Sequence, residues 1–147
     1  MRTLEQWFKE YGKSHQNPAN KKMHFVCVPL IMYSIFGLLD VSSQFMGMTY
    51  SLALPLVIIA GVFYLTLSWK LAVLLVLSAI AMVASFRFYP TPHFQLYSML
   101  FVFVASWIGQ FIGHKWEGAK PSFLEDIVFL LIGPLWVADH WSSGKLR

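Results

Sequence analysis

With 147 residues the chain has the length of one domain. Its composition is 57% hydrophobic and 12% charged, half the charge of a soluble domain, where roughly a quarter is usual, and its mean hydropathy is positive. That excludes a disordered or ordinary water-soluble chain and indicates an integral membrane protein. The net charge of +4 comes from basic residues that flank apolar stretches and form no stripe or groove-reading motif, which argues against nucleic acid as a partner.

In chain order, the first 22 residues carry seven charges and no apolar core, so they do not read as a signal peptide, and the first span serves as its own insertion signal. Leu4, Trp7, Phe8 and Tyr11 recur at i, i+3, i+4 and i+7, with Glu5, Lys9 and Glu10 on the other faces. This spacing predicts an amphipathic helix lying in the membrane interface. Gly12 can end it, and Asn17-Pro18 opposes a continuous helix, because the residue before proline is pushed out of the helical region. His15 is expected on a bend, with Asn20 as N-cap of the next helix and His24 one turn further on.

The charged residues then thin out. Lys22 to Asp40 encloses 17 uncharged positions, Asp40 to Lys70 29, Lys70 to Arg87 16, and Arg87 to Lys115 27. Each interval can hold a helix of roughly 17 to 25 residues, the length that crosses a bilayer. Four spans are predicted, near 23–40, 50–68, 70–88 and 94–113, in an all-α, single-domain fold. Pro29 and Pro55 are tolerable in such helices, and Tyr89-Pro90-Thr91-Pro92 turns the chain between the last two. Cys27, the single cysteine, lies within the first span as a buried spectator and excludes an internal disulfide. An inside N-terminus places ten of the eleven basic residues on one side, leaving Arg87 opposite, as the cytoplasmic bias of Lys and Arg requires.

At the end of the fourth span Trp107, Gln110, His114 and Glu117 fall at i, i+3, i+7 and i+10, one narrow stripe in which the three polar residues face the same neighbour. Beyond it, Ser122 and Glu125 form a capping-box pattern. The apolar run that follows is too short to cross and is interrupted by Gly133-Pro134, which predicts a re-entrant or interfacial helical hairpin over 122–141. Glu125 and Asp126 suit a helix first turn and need no catalytic explanation. Asp139 and His140, being adjacent, point about 100° apart, so at most one faces a shared site.

This topology brings His15, His24, His114 and Glu117 to one interface, although about 90 residues separate the two groups. Imidazoles with a carboxylate suit a transition metal, either non-haem Fe(II) or zinc. The competing reading is that interfacial His, Asn and Gln cap helices or bind headgroups. His93 lies on the far side, roughly 30 Å away. No phosphate-binding glycine loop, HExxH pair, CxxC or nucleophile elbow occurs. The 17% aromatic content suits membrane belts and lipid-lined cavities.

YGKSHQNPANKKMHFVCVPL at 11–30 and WIGQFIGHKWEGAKPSF at 107–123 resemble the two signature blocks of the small membrane proteins typified by the 2-hydroxy fatty acid dioxygenase of fatty acid α-oxidation. The pattern H-x-N-x-x-N-x-x-x-H falls on His15, Asn17, Asn20 and His24. The second block is met by Gln110, Phe111, Gly113, His114 and Glu117, and Asp139 stands nearest to the further acidic residue of that family. The resemblance implies an Fe(II) enzyme that shortens 2-hydroxy fatty acids by one carbon with O2, as in sphingoid base breakdown. It implies ligands among His15, His24, His114 and Glu117, with Asn17, Asn20 and Gln110 supporting them. The charge distribution gives a multi-pass membrane protein with a cytoplasmic N-terminus, for which a bacterial origin implies the inner membrane and a eukaryotic one the endoplasmic reticulum. A zinc-dependent lipid hydrolase and a non-enzymatic scaffold or lipid carrier are the competing functions.

Overall fold

The computed structural model describes residues 2–122 and 127–146, and among them every regular element is helical. The elements are α1 (Leu4–Lys13), α2 (Pro18–Phe45), α3 (Ala53–Leu65), α4 (Trp69–Ser85, extended by a 3-10 turn, Phe86–Phe88), α5 (Pro92–Glu117) and α6 (Phe129–Trp141). Local chemistry sets their ends. Thr3 and Gln6 form a capping box on α1, Asn17 caps α2 with Pro18 behind it, and Thr91 caps α5 with Pro92 behind it. The cap of α2 is therefore Asn17 rather than Asn20, because Pro18 fits the first helical position, where no N–H partner is needed. Gly118, at φ 73°, stops α5 directly after Glu117.

Three segments, Pro18–Phe45, Trp69–Phe88 and Pro92–Glu117, are long and apolar enough to cross a membrane. The stretch expected as a fourth span, 50–68, forms only the 13 residues of α3, about 20 Å of helix. Its end residues are used in turns instead. The Leu52 N–H donates to Ser43 Oγ (2.7 Å) near the end of α2, and Ser68 Oγ donates to the Leu146 carbonyl (2.9 Å) at the opposite end of the molecule. Short as it is, α3 runs between the two ends of the bundle alongside α4.

α2 and α5 pack antiparallel along their lengths. At the end bearing Arg87, Gln95 is buried on α5 and donates to the Gly37 carbonyl (3.0 Å) and to Asp40 (3.1 Å) of α2. At the other end glycines bring the backbones together: a Cβ at Gly109 would lie 2.7 Å from Cys27 Sγ, and one at Gly113 2.5 Å from Asn20 Oδ1. This is the small-xxx-small spacing of close membrane-helix packing. Cys27 is buried there.

Two expectations are corrected. The break expected at Gly133-Pro134 in the hairpin over 122–141 does not occur: among the described residues of that stretch, Phe129–Trp141 form one helix, α6, that continues through Pro134. It is packed rather than broken, with Ile132, Gly133, Pro134 and Leu135 all buried, so tertiary contacts offset the lost backbone bond. The Ser122–Glu125 capping box and the first-turn role of Glu125 and Asp126 fall on 123–126, outside the described residues. The apolar stripe of α1 faces protein, not lipid: Leu4, Trp7, Phe8 and Tyr11 are buried, with Trp7 edge-on to Phe129 (5.4 Å) and Tyr11 against Phe129 and Trp136. α6 supplies the apolar partner that the membrane surface would otherwise provide.

Gly113→Val is expected to lower the unfolding temperature in detergent sharply, since its neighbours are helix-borne atoms with no space to yield. Gly12→Ala, with nothing within 4 Å of its Cβ position, should stabilise α1 by up to about 1 kcal/mol. Thermal unfolding of the two variants checks both signs.

Candidate metal centre

α1 ends at Lys13, the chain bends through 14–17, and α2 starts at Pro18, so His15 folds back over the first turns of α2. Its Nε2 lies 3.0 Å from His24 Nε2. His114 enters from α5, its ring centroid 5.1 Å from that of His15 and 5.0 Å from that of His24. All three are buried, and one donor nitrogen from each lies within 4.8 Å of the other two.

The Nδ1 atoms of two rings are held by the same local device. His15 Nδ1 bonds the Tyr11 carbonyl (2.5 Å) and His24 Nδ1 bonds the Asn20 carbonyl (3.0 Å), each four residues back. A carbonyl only accepts, so each ring carries its proton on Nδ1 and presents Nε2 as a bare donor atom to the centre. In the absence of a metal the two Nε2 atoms would face each other with no proton between them. A cation between them satisfies both, and their separation matches the roughly 3 Å between adjacent ligand atoms that are each about 2.1 Å from a metal. His114 has the Ala119 backbone nearby, yet its buried Nδ1 makes no hydrogen bond among the described residues. The donor set fits a divalent transition metal.

Burial, reinforced by the neighbouring His24 and His114, holds the His15 pKa down at about 3. A ring that stays neutral is the form that binds metal. Burial likewise pushes the Tyr11 hydroxyl above its ordinary range, so Tyr11 serves as a neutral wall, stacked on His15 at 4.0 Å between centroids.

Glu117 lies outside the group of three histidine donor atoms. One carboxylate oxygen accepts the Gln16 N–H (2.7 Å), and the other accepts the Asn17 N–H (2.8 Å) and Asn20 Nδ2 (3.0 Å). Glu117, nearly a turn beyond His114, meets the bend rather than the rings. Asn17 Nδ2 adds a bond to the Trp116 carbonyl (3.1 Å), and Asn20 Nδ2 another to the Ser14 carbonyl (3.2 Å). The asparagines and Glu117 thus fasten the bend to the end of α5.

The three rings line one end of a cavity of about 120 Å³ whose other walls include Val28, Ile31, Met32, Trp107, Gln110, Ser122, Phe129 and Leu130. Gln110 is buried beside His114. His93 is exposed at the opposite end against Phe45. His140 is exposed and stacked on Phe25 (4.2 Å), and Asp139 is buried on α6; neither belongs to the cluster.

The family model described as "2-hydroxy-palmitic acid dioxygenase Mpo1-like" matches residues 1–145. The chain belongs to the Mpo1-like family. No curated protein and no solved structure matches it. Several residues that build this Mpo1-like site carry little sequence signal: Tyr11 reads as one member of an amphipathic stripe, and Ser14 and Ser122, whose hydroxyls meet at 2.5 Å, read as loop residues. The spacing Gly109-x-x-x-Gly113 was the available signal for the close approach of α2 and α5.

His24→Ala is expected to abolish stoichiometric metal binding by the Mpo1-like chain, whereas Glu117→Gln should weaken it by about 10- to 100-fold through loss of support to His15. Calorimetric titration with Co(II) measures both. In the metal-free protein His15 takes up a proton at lower pH than the unfolded chain does, whose ordinary value is 6.5. Its contribution to stability is therefore fully present above pH 6.5 and is lost as pH falls toward 3. Melting temperatures across that window should fall less steeply for His15→Gln.

Proposed function

We propose that the protein is an Fe(II)-dependent dioxygenase that shortens 2-hydroxy fatty acids by one carbon, as the family description suggests for 2-hydroxy-palmitic acid. The observation that carries this reading is the buried, all-nitrogen triad of neutral imidazoles at the head of an apolar cavity. Fe(II) held by His15, His24 and His114 would supply O2 activation and a Lewis acid for the substrate hydroxyl and carboxylate. With Glu117 occupied by the bend, three protein donors leave three of six positions, enough for a two-point substrate and O2. A fourth protein ligand would leave too few.

The overall conversion is R-CH(OH)-COOH + O2 → R-COOH + CO2 + H2O. It balances without 2-oxoglutarate or an external reductant, and the chain needs no second cofactor site. Its own residues position the substrate. Gln110 and Ser122 border the cavity and are placed to donate to a carboxylate. Beyond Ser122 and Phe129 lies a polar recess bordered by Arg2, Lys120 and the Lys13–Glu10 ion pair, a mouth of net positive charge that would favour an anionic head near the triad. α1 and α6 close the site against water, with Tyr11 and Trp136 packed on His15. The bias of Lys and Arg supports a cytoplasmic position for this end of a multi-pass membrane protein, in which a lipid's head would meet the metal while its tail stays in the bilayer's depth.

The test is anaerobic purification with metal analysis, then O2 uptake on adding 2-hydroxy-palmitic acid. One O2 consumed and one CO2 released per acid, with no uptake for palmitic acid or for His114→Ala, is expected. Bound zinc with ester hydrolysis and no O2 uptake would support the hydrolase instead, since three histidines also suit catalytic zinc. A protein that retains no metal would overturn both enzyme readings.

A further inference from the structure

The cavity below the histidines adjoins a second one. Met32, Ile35, Leu130 and Pro134 border it and also border a second cavity, of about 230 Å³, enclosed by α2, α3, α4 and α6. Every side chain around that second space is apolar except Tyr64, which is buried. Neither cavity alone reaches the roughly 300 Å³ of a typical ligand pocket; the pair does. The dividing walls are flexible or thin: Met32 is an unbranched thioether that changes rotamer readily, and Pro134 sits beside Gly133 in α6.

Resting on the dioxygenase reading, we infer that the two cavities form one acyl tunnel, with the triad at its head and Phe36 at its far end, and that this length sets substrate chain length. The stripe His24, Val28, Ile31, Met32 and Ile35 runs down α2 at i, i+4, i+7, i+8 and i+11, so the tunnel follows one helix face. Eleven residues of helix advance about 16 Å. A zigzag chain of ~1.5 Å bonds advances about 1.25 Å per carbon, which gives about 13 carbons to Ile35 and about 14 to Phe36. Adding the carboxyl and hydroxyl-bearing carbons at the triad gives an acid of about 16 carbons. Phe36 is buried and packs into the cluster formed with Ala53, Val57, Ala79, Phe86 and Met99, which makes it a firm stop.

The inference predicts a cut-off in tail binding that moves with the tunnel walls. Metal-free wild-type protein in detergent is titrated with saturated fatty acids from about 10 to about 20 carbons, where affinity should rise roughly fourfold per methylene and level off near 16. Ala60→Phe, which projects into the second cavity, should end the rise several carbons earlier and weaken binding of the 16-carbon acid by about 50-fold, the worth of about three methylenes. Phe36→Leu, a milder change than truncation to alanine, should move the cut-off to longer acids. Stoichiometric Co(II) binding by each variant verifies the fold. The same chain-length curve in both variants and wild type, with Co(II) bound by all, would overturn the tunnel. O2 uptake by the iron-loaded wild type is measured separately: a cut-off that moves as stated supports the tunnel whether or not O2 is consumed, and absent uptake would count against the dioxygenase.

Discussion

The Glu117 carboxylate, accepting three hydrogen bonds from residues 16, 17 and 20, fixes the bend between α1 and α2 to the last turn of α5. Such bonds to a charged acceptor are shorter and stronger than neutral ones, and together they define the path of a segment that has no helix of its own. His15 stands one residue before the first of these donors. Were the bend free, the eight residues between His15 and His24 would admit many ring separations; anchored, they give the 3.0 Å approach of the two Nε2 atoms. Gly113 completes the geometry, because only a residue without a side chain lets Asn20 sit between the bend and α5.

Bringing three imidazoles out of water is unfavourable unless they stay neutral and partnered. The fold meets this requirement on one side only. Carbonyls of Tyr11 and Asn20 satisfy the outer nitrogens of His15 and His24, and aromatic rings cover the faces, while the inner nitrogens are turned toward one another. A purely structural cluster would place donors against acceptors. Two acceptor nitrogens in contact form an arrangement that a cation stabilises, which is why the histidines here read as a candidate binding site.

The sequence made the site more legible than the fold. His15, Asn17, Asn20, His24, Gln110, His114 and Glu117 stand in two short blocks whose spacing survives any error in span boundaries, and Pro18 alone foretells the bend. What spacing cannot show is which way a side chain turns at the end of a stripe. Glu117 shares the face of His114 on an ideal helix, but the last turn before Gly118 offers it backbone N–H groups from a segment about 100 residues earlier, and those bonds decide its role. The same limitation explains α3 and α6. Hydropathy gave 50–68 the length of a span, yet Ser43 and Leu146 draw its ends into turns; Gly133-Pro134 signalled a break, yet packing against α1 and α2 keeps α6 whole.

The uneven lengths of the helices follow from the same division of labour. α2 and α5 carry His24 and His114 near one end and a polar lock of Asp40, Gln44 and Gln95 at the other, so their relative height is fixed at both ends. α3 and α4 carry no ligand and contribute apolar wall. The proposed tail would gain affinity from contact along its length, which calls for depth and smooth surface rather than polar groups, and Ala60, Gly61 and Ala79 keep the second cavity open where larger residues would fill it. On the proposed function, a site whose chemistry lies near one end of the bundle and whose substrate volume lies within it could bind a lipid without removing its tail from apolar surroundings, and that placement, more than the metal itself, is what such a fold would contribute.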